Sequence, residues 1–223
     1  MKISGSTIAI CAAGSEMGQM IAHYFAQAGA TVVLIQEQAV NPCELTQGIV
    51  ESDFYQLQFD PQNEQSSRKI FEQIYELIGP VDIFINYWAA AAQMNLMSDD
   101  AMTQLSGAMN HVVSRLTVLG REAAKQMQLG QGGVIINMTA PEENGVVSLD
   151  STRAIIDGFT QTWAKELSPF NIRVGGVVPV QAKRTAGLYK PVCPQELVRS
   201  AEYIVENDYF SGRLLEAEMS MVF

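Results

Sequence analysis

Short apolar runs alternate with amphipathic stretches along the whole of this chain. The run TIAIC passes through a small-residue turn, AAGSEMG, into the amphipathic segment QMIAHYFAQAGA, all within Thr7–Ala30. That order predicts strand, tight turn and helix. Gly29 is placed to end the helix, and the β-branched run TVVLI at Thr31–Ile35 suits a buried parallel strand. The first unit is therefore βαβ.

The pattern repeats downstream. Residues 36–51 have weak periodicity and contain Asn41-Pro42, so any helix there is short; Phe54–Phe59 (FYQLQF) alternates as a strand and ends at Asp60-Pro61. From Gln62 to Ile78, the apolar residues Ile70, Phe71, Ile74, Leu77 and Ile78 share one helical face, Gly79-Pro80 stops the helix, and Val81–Asn86 is the next buried strand. A long helix is predicted over Asp99–Leu129 with Met102, Leu105, Met109, Val112, Val113, Leu116 and Leu119 on its inner stripe. Further strands are expected at Val134–Thr139, Ile172–Val178 and Leu214–Val222. Helices are expected at Leu149–Leu167, with Ile155, Ile156, Phe159, Trp163 and Leu167 inward, and at Pro194–Glu206. Alternation of about seven strands with helices predicts an α/β fold, a Rossmann-like doubly wound, mostly parallel sheet with helices on both faces.

Length and composition narrow the setting. At 223 residues with 48% hydrophobic, the chain suits one domain over 1–223 with a sizeable core. It contains no apolar run of about 18 residues, so no membrane span is expected. The apolar run after Met1–Lys2 is too short for a secretory signal and leads into the βαβ unit. Cys11, Cys43 and Cys193 have unrelated spacings, and His23 and His111 are the only histidines. No disulfide framework or metal site is expected, and the usage fits a reducing cytoplasm. The formal charge of −10, without a basic cluster, opposes nucleic acid and anionic membranes as partners.

The turn before the first helix is where chemistry enters. Small residues let the backbone approach a ligand closely, and a helix opening there aims free N–H groups and its positive dipole end at a phosphate. This is the architecture of a dinucleotide site, although a working fingerprint has three glycines and only Gly14 and Gly18 are available in this turn.

Taken together, the element order and several strings resemble the short-chain dehydrogenase/reductase family over nearly the whole chain. Asp60 stands at the family's adenine-contacting Asp, Asn86 at the first Asn of its NNAG turn and Asn110 at its structural and catalytic Asn. GGVIINMT resembles the strand leading to the catalytic Ser, RAIIDGFTQTWAKEL the helix that begins at the catalytic Lys, NIRVGGVVP the strand before the PG turn, and Ser211–Leu215 the TGxxL segment. The resemblance implies NAD(P) at the carboxyl ends of the strands and hydride exchange with a carbonyl or alcohol. It also implies a Tyr to exchange a proton, a Lys to lower that Tyr's pKa and hold the ribose, and a Ser to hold the substrate.

The same alignment leaves those roles vacant. Arg153 stands at the Lys position, Leu149 at the Tyr position and Ala140, after Thr139, at the Ser position; no tyrosine occurs between Tyr87 and Tyr189, and Asn110 alone is retained. Arginine cannot deprotonate and binds through a planar fork unlike an ammonium. The positions expected to line a dinucleotide are Gly14, Ser15, Met17, Gly18, Gln36, Asp60, Asn86 and Val180. Here Ala12 and Glu16 replace two glycines, Tyr87-Trp88 replace small residues of the NNAG turn, and Pro179-Val180 replaces PG. A carboxylate at Glu16 opposes a pyrophosphate at the helix N-terminus. Gln36-Glu37 disfavours NADP more than NAD.

Three functions are consistent with these residues. The first is a protein that keeps the fold without its chemistry, binding NAD weakly or not at all, and acts as a binding or regulatory partner. The second is an atypical NAD-dependent oxidoreductase whose proton donor is Tyr87, Tyr189 or the substrate. The third is an enzyme of another class using Glu16 or Asp150 as a base. Tyr87 and Trp88 are expected to fill the vacated cleft. A stripe holding Met109, Val113, Phe159 and Trp163 is expected to form a homodimer or homotetramer interface, or one with an active relative.

Overall fold

A computed structural model describes residues 1–11, 16–37, 54–59, 63–89, 97–140, 149–179 and 194–217, with some side chains within these spans outside the description. Seven strands form one sheet: β1 (Thr7–Cys11), β2 (Thr31–Glu37), β3 (Phe54–Phe59), β4 (Ile83–Ala89), β5 (Gly133–Ala140), β6 (Ile172–Pro179) and β7 (Arg213–Ala217). Their order is β3-β2-β1-β4-β5-β6-β7, and every described pairing is parallel. Five helices connect them: α1 (Glu16–Gln27), α2 (Glu64–Ile78), α3 (Ala101–Leu129), α4 (Leu149–Leu167) and α5 (Pro194–Glu206). This is the doubly wound Rossmann-like architecture that the pattern predicts.

Side chains alternate cleanly between the two faces. Ile8 and Ile10 of β1, Ile83 and Ile85 of β4, and Val134 and Ile136 of β5 bury against Ile21 and Phe25 of α1 and Leu197 and Ile204 of α5. Ala9, Phe84 and Ile135 point to the opposite face, against Ile70, Phe71 and Ile74 of α2 and Leu119, Ala123 and Met127 of α3. Both faces are dry, which explains why the strands read as continuous apolar runs.

Local signals account for the element ends. The N–H of Gly29 returns to the Ala26 carbonyl and that of Ala30 to the Phe25 carbonyl, closing α1. The Asn63 side chain accepts a hydrogen bond from the Gln65 N–H at 3.0 Å, so α2 starts two residues later than the Gln62 expected from periodicity. Helix α1 starts at Glu16, ahead of its amphipathic run, and α3 starts at Ala101 instead of Asp99.

Two expectations are corrected. Met102 does not belong to the inner stripe of α3, being 72% exposed; the inner face is carried by Leu116, Leu119, Ala123 and Met127, each 0% exposed. The segment Asn86-Tyr87-Trp88-Ala89 is not a turn. It continues β4, in register with Asn137, Met138, Thr139 and Ala140 of β5, and ladder hydrogen bonding with bulky residues holds it extended. Trp163 is partly buried, and its indole lies over Gly120 of α3, where an added Cβ would meet the ring at 2.5 Å, while Phe159 meets the same ring edge-on with centroids 5.3 Å apart. The side chain of Met109 and the structure of 38–53 lie outside the described residues, as does the part of the expected last strand beyond Ala217.

The far end of the sheet is secured by one cation. Arg173 of β6 donates to the carbonyls of Ile204 (2.7 Å), Val205 (2.8 Å), Asn207 (2.9 Å) and Phe210 (3.1 Å), gathering the last turn of α5 and the approach to β7. Burial lowers its pKa from the ordinary arginine value and nearby Asp208 offsets part of that, while the Met1 ammonium holds Asp208 at 2.8 Å. The carbonyls left over at a helix C-terminus are thereby satisfied by a charge of the right sign.

Two variants test this packing. Gly120→Ala is expected to lower stability by about 1–3 kcal/mol through overpacking, and pairing it with Trp163→Leu should recover part of the loss in urea melts. Arg173→Met should cost about 3 kcal/mol, because several carbonyls lose a charged donor together, whereas a shift within the error of the melt would show that solvent replaces it.

Candidate active site

In a sheet of this order the chain runs outward in both directions from between β1 and β4, and the crevice at their carboxyl ends is where such folds take ligands. Cys11, the last residue of β1, stands in register with Asn86 of β4. Helix α1 opens just beyond it with Glu16 as its first residue.

The positions that would line a dinucleotide are only partly brought to this crevice. Gly14, Ser15, Asp60 and Val180 lie outside the described residues, as does the Glu16 side chain. Met17 does not face outward; its side chain packs against the core between the sheet, α1 and α5, as an apolar residue in the first turn of a core-facing helix does. Gly18 is buried in α1. Gln36 is half-buried near the end of β2, in register with Gln58 of β3. Asn86 is 0% exposed, and its Nδ2 donates to the Leu116 carbonyl of α3 at 3.5 Å. Its amide is therefore turned into the sheet–helix layer and not toward the crevice, because residues 84 and 86 alternate onto the α3 side.

The positions to which the resemblance gave catalytic roles lie on β5, α3 and α4. Ala140 closes β5 beside Ala89 of β4, and Thr139 before it is buried. Leu149 is the first residue of α4 and Arg153 lies one turn later; Asn110 sits within α3. The side chains of Asn110, His111, Leu149 and Asp150 lie outside the described residues, as do Tyr189 and the side chain of Trp88. Arg153 is described. Its guanidinium is about half exposed and forms an ion pair with Glu216 of β7. Tyr87 is 7% exposed and belongs to the core on the α1/α5 side, so this aromatic fills interior space beneath the crevice instead of lining it.

Two polar residues of this layer were not singled out from the sequence. Glu216 is one charged position in the short strand RLLEA, and Asn137 is one amide within the apolar run GVIINMTA. A polar residue interrupting a buried strand was the available signal for Asn137, whereas Glu216 is exposed on the edge strand β7 and gave none. Asn137 is fully buried, with its Nδ2 donating to the Thr160 hydroxyl of α4 at 3.2 Å. Among the described residues no group of His, Cys, Asp or Glu is placed to hold a metal ion, and no helix is long and apolar enough to cross a membrane.

Comparison with known proteins agrees with this geometry. The short chain dehydrogenase family model matches residues 6–189. Carbonyl reductase family member 4 of Danio rerio is 25% identical over 228 residues, covering 94% of this chain and 95% of that protein. The 3-oxoacyl-[acyl-carrier-protein] reductase FabG of Aquifex aeolicus (strain VF5) is 23% identical over 201 residues, covering 86% of this chain and 81% of that one. Among solved structures, 3-ketoacyl-(acyl-carrier-protein) reductase from Brucella melitensis complexed with NADH superposes with a TM-score of 0.78 at 20% identity, covering 96% and 97% of the two chains.

The exposed Arg153–Glu216 pair should contribute little to stability. Glu216→Gln is expected to shift the urea unfolding free energy by no more than about 1 kcal/mol, and a loss above about 2 kcal/mol would show that the pair is a structural strut.

Proposed function

Because this chain belongs to the short chain dehydrogenase family, we propose that it keeps that family's NAD(P)-binding scaffold without hydride-transfer chemistry and serves as a binding or oligomeric partner protein. The observation that carries this reading is Arg153. At the position where the resemblance calls for a lysine to lower a tyrosine pKa and hold a ribose, there stands a guanidinium already engaged with Glu216. It cannot exchange a proton at neutral pH, and the residue one turn before it, Leu149, has no proton to give. With Ala140 at the third position, the proton relay has no donor, conductor or anchor. Such groups act as a unit, so the loss of any one already removes most of the rate.

The residues present also fit a dinucleotide poorly. Glu16 puts a carboxylate residue into the first turn of α1, where unpaired N–H groups would otherwise meet a pyrophosphate. Asn86 is turned into the α3 layer. These placements support weak or absent NAD(H) binding, with NADP(H) weaker still. The alternative, an oxidoreductase with a displaced donor, needs a phenol in the crevice. Tyr87 is packed in the core and gives it no support.

Assembly does not depend on the site. We include in the proposal a homodimer or homotetramer, or a complex with an active relative, since burial between copies requires none of the catalytic groups.

Calorimetric titration with NADH and NADPH is expected to give no saturable binding below the millimolar range. Micromolar affinity, or carbonyl-dependent NADH oxidation above the buffer rate that is lost in Tyr189→Phe, would overturn the proposal. Glu16→Gly should tighten binding at least tenfold if repulsion at the helix end is the main cause, equivalent to about 1.4 kcal/mol. Light scattering at low micromolar concentration should give a multiple of 24.4 kDa.

A further inference from the structure

A row of polar positions crosses the sheet beneath α3 and α4. Cys11 of β1, Asn86 of β4, Asn137 of β5 and Gly176 of β6 stand in mutual register on four adjacent strands. Their neighbours one residue back, Ile10, Ile85 and Ile136, are wholly aliphatic and face the other side. At the Gly176 end the absent side chain leaves space that Leu214 of β7 fills and that the Thr160 hydroxyl of α4 borders, 3.1 Å from where a Cβ would lie. That hydroxyl receives the Asn137 amide, while the Asn86 amide is donated to α3.

Both asparagine nitrogens are thus directed to the helices, and both Oδ1 atoms are left without a donor although each residue is 0% exposed. Buried amide oxygens that give up water without replacing it are costly, and two side by side are rarer than one. The physical question is what donates to both. Adjacent strands lie about 4.8 Å apart, so the two in-register asparagines are close enough for one small molecule, donating over about 2.8 Å to each, to be shared between them. The donor has to be neutral. The described side chains of the row, Cys11, Asn86, Asn137 and Thr160, bring no carboxylate to balance a cation in this interior. Water meets every condition: it is small, uncharged and carries two donors.

We propose that the Asn86–Asn137 pair is a binding site for one structural water, which donates to both Oδ1 atoms and completes a hydrogen-bonded bridge from the Leu116 carbonyl of α3 to Thr160 of α4. The bridge ties the two helices through the centre of the sheet. It is independent of the proposed loss of catalysis, because none of its members is a position in the proton relay.

The test is a crystal structure of the full chain at about 1.5 Å, together with oxygen-17 and deuterium relaxation dispersion of water on the same protein. The expected result is one solvent peak within hydrogen-bond distance of both Oδ1 atoms and a long-lived internal water that is lost in Asn86→Leu and in Asn137→Leu. The double variant should lose no further water. A direct contact of the Nδ2 of one asparagine with the Oδ1 of the other, with no solvent peak between them, would overturn the proposal. So would a peak with contacts as short as those of a metal ion, or single variants that keep the full count of long-lived waters. Should either leucine variant fail to fold, the unmodified chain still decides through the peak and the relaxation count.

Discussion

A parallel sheet cannot leave either face in water, and everything else in this molecule follows from that constraint. Hairpins are unavailable to parallel neighbours, so each strand is followed by a crossover, and each crossover helix is obliged to cover the sheet it has left. The result is two dry layers, one under α1 and α5 and the other under α2, α3 and α4, with the carboxyl ends of β1 and β4 as the place where the two windings part. None of this depends on what the crevice does. Arg153 is half exposed and belongs to neither layer, so a change there leaves the burial that holds the sheet together untouched.

The scaffold was legible in the sequence because its signals are local and repeated. Phe54–Phe59, Leu149–Leu167 and Pro194–Glu206 lie where alternation or helical periodicity puts them. Errors arose where a long-range partner decides. The extension of β4 through Tyr87 and Trp88 rests on its ladder with β5, which no window along the chain contains. Met102 has the spacing of an inner residue, yet in the first turn of α3 it stands 72% exposed, and spacing alone does not tell which turns of a long helix lie over the sheet.

The site was legible in a different sense. Residue identities at Leu149, Arg153 and Ala140 could be read directly. Orientation could not be read. That Asn86 turns inward, that Met17 joins a core, and that Arg153 meets Glu216 across the gap between α4 and β7 are facts of three-dimensional packing. Sequence alignment supplies positions in a family pattern, whereas the direction of a side chain is set by which face of its element the pleat or the turn assigns.

The contact between Gly120 and Trp163 has a consequence for how this chain can diverge. The indole occupies the volume that any other residue at 120 would need, so the two positions share one fixed space. A larger residue at 120 is tolerable only beside a smaller one at 163, and either change made alone passes through an overfilled or a hollow interface. The pair therefore forms a ratchet in sequence space. A change at one of the two positions is expected to be followed by a compensating change at the other.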